Sequence, residues 1–201
     1  MRPLPLAVLA LLLTAAPAFA QNQAVARAIA LPDTLGANFD VADTLTGRSE
    51  PSDYDFLVGT WRFTFQARNR DGSFTPPFTG HWVFTKKQTG GQGALIEDHW
   101  RPDDPTSTWD AGTWTYRAYN PDRKLWEMQG ITTNAGAWQP GLMWTAGDSR
   151  LLTEWYGPML VRFRYFAIQP DRFLWRADAT FDRGKTWIRD YWTMEVHRIS
   201  R

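Results

Sequence analysis

Three residues in the middle of the chain have side chains suited to moving protons. Glu97 and His99 are two positions apart, so they share a face if the chain is extended there. Glu154 stands among apolar and aromatic neighbours, where burial would raise the pKa of its carboxyl group and make it a general acid or base. These residues would suit an isomerase, cyclase or hydratase of a small molecule. The alternative is ion pairing with arginines, either on the exterior or in an internal network in which a residue such as Arg164 orients a ligand.

The candidates for metal ligation are His81, His99 and His197. His81 and His99, together with Glu97, could hold zinc or iron if all three side chains pointed into one cavity. Their spacing matches no metal-binding motif, and isolated histidines on strands commonly belong to the surface or to a hydrogen-bonded scaffold. We therefore expect no metal site.

Composition excludes several classes of chemistry. The chain has no cysteine, which removes thiol nucleophiles, thiolate metal sites and disulfides. No serine lies in a Gly-x-Ser-x-Gly turn, and the glycine-rich stretch at 90–93 lacks the Lys-Ser/Thr ending of a phosphate-binding loop. The formal net charge is +1 without a long basic or acidic run, so nucleic acid and anionic membrane surfaces are poor partners.

The elements that must position these side chains are β-strands. From Asp53 onward, short alternating segments end in clusters of Gly, Pro, Asn or Asp, as in Asn120-Pro121-Asp122. The pattern predicts about ten strands with short connections and favours an all-β fold, an up-and-down antiparallel β-barrel of about 8–10 strands. A two-sheet sandwich is the alternative, because periodicity does not distinguish the two folds.

Twelve tryptophans in 201 residues are the strongest functional signal. Inside a barrel they would either fill the lumen as core or line a cavity for a flat, hydrophobic molecule. The leading hypothesis is a protein that binds a small hydrophobic or aromatic ligand in its lumen without covalent chemistry. An envelope interaction protein with a filled barrel, whose outer aromatics meet another chain or a second copy in a homodimer, is a further alternative. The candidate ligand-binding residues are Trp61, Phe63, Trp82, Trp100, Trp114, Trp126, Trp144, Trp155, Arg164, Trp175 and Trp187.

The N-terminal region differs from the rest of the chain. Residues 1–20 combine Arg2, an apolar run from Leu6 to Leu13, and the small-x-small site Ala18-Phe19-Ala20, which together predict a signal peptide. We therefore expect a periplasmic or secreted protein with no membrane span after signal removal. Residues 21–52 are interpreted as a flexible leader that could contain a short helix, and residues 53–201 as the β-barrel domain.

Four segments resemble a known group of barrels. They are DFLVGTW at 55–61, ALIEDHW at 94–100, YNPDRKLWEMQGI at 119–131 and FDRGKTWIRDYWTMEVHR at 181–198. The Gly-x-Trp of the first segment is similar to the first strand of calycin barrels, which include lipocalins and fatty-acid-binding proteins. In order and spacing, the four segments resemble the DUF1579-like, lipocalin-like bacterial proteins. The resemblance implies a calycin fold and no established activity.

Haem-binding nitrobindin barrels offer a second comparison. Gly59-Thr60-Trp61 resembles the start of their first-strand motif, and His197 on the last strand could be placed by analogy with their haem ligand. Arg62-Phe63-Thr64-Phe65 stands where those proteins continue toward a Tyr-Pro pair. We therefore expect no cofactor, with haem as the alternative.

Overall fold

The computed structural model describes residues 48–87, 93–106, 112–132, 137–156 and 158–201. The signal peptide expected at residues 1–20, and the expected leader up to residue 47, lie outside these ranges. A 3-10 turn at Asp55–Leu57 precedes ten strands. The strands are β1 (Gly59–Ala67), β2 (Phe78–Lys87), β3 (Leu95–Pro102), β4 (Thr113–Asn120), β5 (Leu125–Thr132), β6 (Ala137–Ala146), β7 (Ser149–Tyr156), β8 (Met159–Phe166), β9 (Arg172–Thr180) and β10 (Ile188–Ser200). Within the described ranges, no helix is long and apolar enough to cross a membrane.

The ten strands form one closed barrel. Each strand pairs antiparallel with its neighbours in sequence, and β1 also pairs with β10, where Arg62 lies opposite His197. Closure leaves no unpaired sheet edge. The predicted up-and-down antiparallel barrel is confirmed, and the sandwich alternative is wrong.

Alternation along each strand determines which side chains fill the barrel. In β1, Trp61, Phe63 and Phe65 are buried, whereas Arg62 and Thr64 between them are exposed. Successive side chains of a strand point to opposite faces, so the rings of β1 enter the lumen and its polar groups meet solvent. The interior is therefore largely a packed aromatic and aliphatic core.

The first strand starts later than its hydrophobic pattern indicates. The alternating run from residue 56 predicts one continuous strand, but Asp55–Leu57 forms a 3-10 turn. Gly59 has a φ of 128°, and a Cβ there would lie 2.4 Å from the Ser200 carbonyl oxygen. Only glycine fits this position, which changes the direction of the chain as it enters the sheet.

The segment before β1 closes one end of the barrel. Tyr54 and Leu57 are fully buried there. The Tyr54 hydroxyl oxygen lies 3.1 Å from the backbone carbonyl oxygens of both Trp144 and Leu151, which share its one proton. The Trp61 indole N–H donates to the Leu57 carbonyl at 2.6 Å. We call this end, where β1 begins, the closed end.

Arg198 of β10 ties the same segment to the last strand. Its Nη1 donates to the Val58 carbonyl at 2.6 Å, and its Nη2 donates to the Phe56 carbonyl at 2.7 Å. The guanidinium carbon lies 3.9 Å from the centre of the Trp61 ring, within cation–π range. One side chain thus satisfies two backbone carbonyls and packs on a buried ring.

The last residues of the expected leader are joined to the barrel wall. The Ser49 backbone N–H donates to the Lys124 carbonyl at 2.9 Å, and the Tyr119 hydroxyl donates to the Ser49 carbonyl at 2.9 Å. The Ser49 hydroxyl oxygen accepts from the Thr145 backbone N–H at 3.1 Å. The chain therefore reaches the closed end beside β4, β5 and β6.

The other end of the barrel carries the loops β1–β2, β3–β4, β5–β6, β7–β8 and β9–β10. Here the inward-facing Phe78, Trp100, Tyr156 and Trp192 are only half-buried, although Trp61 at the closed end is fully buried. Solvent reaches the lumen side chains from this direction. We call it the open end.

Candidate functional site

Aromatic rings present flat faces inside the half of the barrel next to the open end. The Phe63 and Trp100 rings stack with centroids 4.8 Å apart and an interplanar angle of 6°. Phe163 stacks on Trp175 at 4.8 Å and 26°, and its centroid lies 6.1 Å from that of Trp192. Phe63, Phe163 and Trp175 are buried in these contacts, whereas Trp100 and Trp192 are half-buried and are the rings that an aromatic molecule entering from the open end would meet first.

A buried ion pair lies at mid-height in this aromatic interior. Asp98 of β3 and Arg117 of β4 form a salt bridge, with their side chains 1% and 2% exposed. The Trp82 indole N–H donates to Asp98 Oδ1 at 2.5 Å. The Arg117 guanidinium lies 5.4 Å from the centre of the Phe84 ring. The positive and negative charges are thus paired with each other, which is the condition for keeping either one in a low-dielectric interior.

Glu154 of β7 is a second acidic group in the lumen, and its burial favours the protonated form of the carboxyl group. Its side chain is buried, and the Tyr156 hydroxyl donates to its Oε2 at 3.1 Å. Burial raises the pKa of Glu154 to about 8, while the Tyr156 hydrogen bond and the Arg117 charge act in the opposite direction. Near neutral pH this carboxyl group is therefore mainly uncharged.

Gln139 of β6 faces the same space as Glu154. A Cβ placed on Gly130 of β5 would lie 3.1 Å from Gln139 Oε1 and 3.2 Å from Glu154 Oε1, so both oxygens converge on the glycine. Gln139 is 5% exposed, and the protonated Glu154 carboxyl group beside it is a hydrogen-bond donor available to its Oε1. We call Gly130, Gln139 and Glu154 the lumen polar site.

Strand register explains why these residues meet. Gly130 lies directly opposite Gln139 on one side and Thr115 on the other, so the three share the inner face. Glu154 lies opposite Gly141 of β6, two residues from Gln139 on the same face. Because Gly130 has no side chain, the two longer polar side chains can approach each other over it.

Six of the sequence-predicted ligand-binding residues face the lumen. Trp61 and Trp126 are fully buried near the closed end, Trp82 donates to Asp98, and the remaining three form the stacks described above. The six inward-facing residues are Trp61, Phe63, Trp82, Trp100, Trp126 and Trp175.

The structure corrects the placement of the other five. Trp114, Trp144, Trp155 and Arg164 lie on the outer face of their strands, and the Trp187 ring lies 4.6 Å from the Arg162 guanidinium. Arg162 shares the outer face of β8 with Arg164, so Trp187 also packs outside the barrel. These five side chains do not line the lumen.

The expectation that aromatics occupy the inner face is wrong for β4. Trp114 and Tyr116 are 39% and 40% exposed, whereas Thr115 and Arg117 between them are buried. The physical reason is the ion pair, because Arg117 must face inward to meet Asp98. An internal acid–arginine network therefore exists, but Asp98 and Arg117 form it, and Arg164 and Glu97 do not belong to it.

Two of the three candidate acid–base residues are on the exterior. Glu97 pairs with Lys87 at 3.4 Å, and His99 stacks on Trp114 with ring centroids 4.3 Å apart. Burial, and then the charge of Arg101, lower the pKa of His99. Only Glu154 of the three faces the lumen, so the structure does not bring Glu97, His99 and Glu154 together.

The three histidines that were candidates for metal ligation are dispersed. His81 Nδ1 lies 2.7 Å from Asp103 Oδ1, His99 stacks on Trp114, and His197 is exposed on the outer face of β10. In the part of the chain that the structure describes, no three metal-ligating side chains form a cluster.

A separate cleft of about 350 Å³ lies outside the barrel, next to the β3–β4 loop. Thr79 donates to Asp103 at 2.6 Å, which is the main reason that the pKa of this carboxyl group is low, and His81 and Arg62 add to the effect. Asp103 is thus paired with Thr79, His81 and Arg62. The cleft is lined by His81, Arg101, Pro102, Asp103, Asp104 and Pro105.

Sequence reasoning missed Asp98, Arg117, Gln139 and Gly130 as site residues. Asp98 lies between Ile96 and Trp100 on one phase of β3, and a charged residue between apolar residues of one phase is a signal for an internal pair. Arg117 gives a weaker signal, because Thr113 and Thr115 precede it on the same phase of β4. Gln139 and Gly130 carry no comparable signal, because their meeting depends on the register between β5 and β6.

One similar solved structure agrees with the architecture. A scan against protein-family models finds no match, and a search of curated proteins finds none. Among solved structures, the S-type phycobiliprotein lyase CPES from Guillardia theta is similar, with a TM-score of 0.50 and 12% identity over 72% of this chain and 89% of that chain. Rv2717c from M. tuberculosis has a TM-score of 0.42 and 13% identity over 71% of this chain and 92% of that chain. The fold is that of a calycin-like barrel. The finer resemblance to DUF1579-like proteins stays a prediction.

Proposed function

We propose that this protein binds a small hydrophobic or aromatic molecule in the half of its lumen next to the open end. The observation that carries the proposal is the lumen polar site, in which the Gln139 amide and the Glu154 carboxyl group, both buried, converge over Gly130 in a largely aromatic interior. Two polar groups placed together in this way can fix the orientation of a ligand that is otherwise apolar.

The surroundings of this site support a ligand that is mainly apolar. Phe63 and Trp100 stack on the same half of the barrel, and Trp192 and Tyr156 are half-buried at the open end. Binding sites for small molecules typically combine such aromatic walls with a few placed polar groups. The fold shared with a phycobiliprotein lyase is compatible with this proposal and adds no ligand to it.

The test uses N-phenyl-naphthylamine, an uncharged aromatic probe that emits strongly in apolar surroundings. We expect saturable emission on titration into the protein, together with energy transfer from tryptophan, because the probe would sit among the lumen rings. The substitution Gly130→Val fills the space between Gln139 and Glu154 and should weaken binding about tenfold.

The matched control is Ala118→Val, which adds the same kind of side chain to the exposed face of the neighbouring strand. This variant should bind the probe like the unmodified protein. Near-ultraviolet circular dichroism establishes that both variants are folded. Absence of saturable binding by the unmodified protein, or equal binding by the folded Gly130→Val variant, would contradict the proposal.

We also propose export, with cleavage after Ala20, on the strength of the signal-like pattern at residues 1–20. Expression of the full chain in a bacterium, followed by fractionation and mass measurement, should give a protein that begins at Gln21 outside the cytoplasm. An uncleaved protein that stays in the cytoplasm would overturn this part of the proposal.

A further inference from the structure

One tryptophan on the outer wall of the barrel is completely buried. Trp144 of β6 follows the inward-facing Met143 and lies opposite Leu151 of β7, so its ring points away from the lumen. It is 0% exposed and does not belong to the core cluster of the lumen. Trp114, on the outer face of β4, is 39% exposed even though His99 stacks on it. Neighbouring strands alone therefore leave an outer tryptophan accessible, and further atoms must cover the Trp144 ring.

Burial along the row of outer residues through Trp144 indicates the side from which this cover approaches. The register between β5 and β6 places Leu125 beside Trp144, and Leu125 is only 8% exposed. On the other side, Leu151 of β7 is half-buried, and Arg164, which lies opposite it on β8, is exposed. The β9–β10 loop, whose Trp187 ring packs on the outer face of β8, thus leaves this row open at Arg164. Burial decreases from β5 toward β8, so the cover approaches from β5.

The N-terminal part of the chain joins the barrel at the same place. The Ser49 hydroxyl oxygen accepts from the backbone N–H of Thr145, the residue after Trp144, at 3.1 Å. The Ser49 backbone N–H donates to the carbonyl of Lys124, the residue before Leu125, at 2.9 Å. Ser49 is fully buried in this position. The segment that precedes it in the sequence therefore starts beside Leu125 and Trp144.

That segment has the composition and the length to cover an apolar face. Residues 35–47 contain the apolar side chains Leu35, Phe39, Val41 and Leu45. An extended chain spans about 3.3 Å per residue, so ten residues reach about 33 Å. The outer face from β5 to β7 is only about 10 Å wide, because neighbouring strands lie about 4.8 Å apart.

We propose that residues 35–47 dock on the outer face of β5, β6 and β7 and cover Trp144 with their apolar side chains. This face of the barrel is then an interaction surface for the protein's own N-terminal segment. Burial of the Trp144 and Leu125 side chains against that segment removes apolar surface from water, which favours the docked arrangement. The inference concerns the exterior of the barrel and does not depend on ligand binding in the lumen.

Photo-crosslinking in the full chain tests this docking from both sides. One variant carries the photoreactive residue p-benzoylphenylalanine in place of Trp144, and a second carries it in place of Phe39. Tryptic peptide 28–48 contains the segment, and tryptic peptide 125–150 contains Trp144. We expect mass spectrometry of the monomer band from a denaturing gel to find these two peptides joined in both variants. The Phe39 variant changes no residue of the barrel, so it remains informative if the Trp144 variant does not fold.

The matched control places the same photoreactive residue at Trp114, on the exposed outer face of β4. This variant should not join its own tryptic peptide, 88–117, to peptide 28–48. Adding Phe39→Asp to the Trp144 variant should lower the yield of the expected crosslink, because a carboxylate is costly to bury against an apolar face.

Three results would overturn the inference. The first is a crosslink from position 144 to a second copy of the chain, seen as a dimer band, or to another part of the same chain. The second is a crosslink to peptide 28–48 that forms equally well from position 114. The third is the absence of any crosslink between peptides 28–48 and 125–150 in the Phe39 variant.

Discussion

The two ends of the barrel differ in how completely their inward-facing rings are buried. At the closed end, the Trp61 ring is fully buried, its indole donates to Leu57, and Arg198 packs on it and donates to two further backbone carbonyls. At the open end, Phe78, Trp100 and Trp192 are only half-buried. Because ring burial and paired polar groups both stabilise a fold, the comparison indicates that the closed end contributes more to stability than the open end.

Replacing one tryptophan at each end by alanine should give the largest difference in the free energy of unfolding. Trp61→Ala removes a fully buried ring that packs 4.9 Å from Phe173 and donates to Leu57, and we expect a loss of about 3–5 kcal/mol in the free energy of unfolding. Trp100→Ala, at the half-buried open end, should have a smaller effect. Urea denaturation measures both.

The outer-face variant Trp114→Ala is the control for this pair, because that ring is 39% exposed. Its effect should stay below about 1 kcal/mol. Equal losses for Trp61→Ala and Trp100→Ala would show that the two ends contribute alike to stability, contrary to the comparison.

Disruption of the buried ion pair between Asp98 and Arg117 should have the next largest effect on the free energy of unfolding. Asp98→Asn keeps an acceptor for the Trp82 indole but leaves the Arg117 charge uncompensated in the interior, so we expect a loss of about 3 kcal/mol. Combining Asp98→Leu with Arg117→Met removes both charges and should recover most of that loss. If the double variant is less stable than Asp98→Asn, the cost of burying an uncompensated Arg117 charge is not the cause of the loss.

Glu154 provides an effect on stability that depends on pH. Its pKa is raised from 4.5 to about 8 in the folded protein, so the folded state holds a proton that the unfolded state releases between these values. The contribution of the protonated Glu154 to the free energy of unfolding should therefore be fully present below about pH 4.5. It should be lost as the pH rises toward 8, by up to about 1.4 kcal/mol per pH unit.

Glu154→Gln keeps the shape of the side chain and removes this titration. The difference in unfolding free energy between the unmodified protein and this variant, followed by urea denaturation from pH 5 to pH 9, isolates the contribution of one group. A difference that does not change with pH would mean that Glu154 is ionised in the folded protein.

The sequence contained enough information for the barrel but not for the orientation of every strand. In β1 only one of the two faces is apolar, so alternation alone places Trp61 and Phe63 inside. In β6, Met143 and Trp144 are adjacent and both are fully buried, so hydrophobicity does not distinguish the inner face from the outer. Register with β7 decides it, because Met143 lies opposite the inward Leu152.

The sequence predicted only part of the candidate site, again because it does not give the register between strands. Glu154 stands out because its neighbours are apolar, and the structure places it in the lumen. Gln139 becomes notable only once β5 and β6 are aligned so that Gly130 lies opposite it. The ion pair joins residues on different strands, and its demand for an inward arginine reverses the orientation that the aromatics of β4 favoured.

The position of the C-terminus has a practical consequence. A Cβ on Gly59 would lie 3.2 Å from the Cα of Arg201, which places the last residue beside the start of β1 at the closed end. A purification tag or fluorescent fusion attached there would project away from the opening. The protein can therefore be immobilised on a sensor surface through its final residue while the open end stays unobstructed.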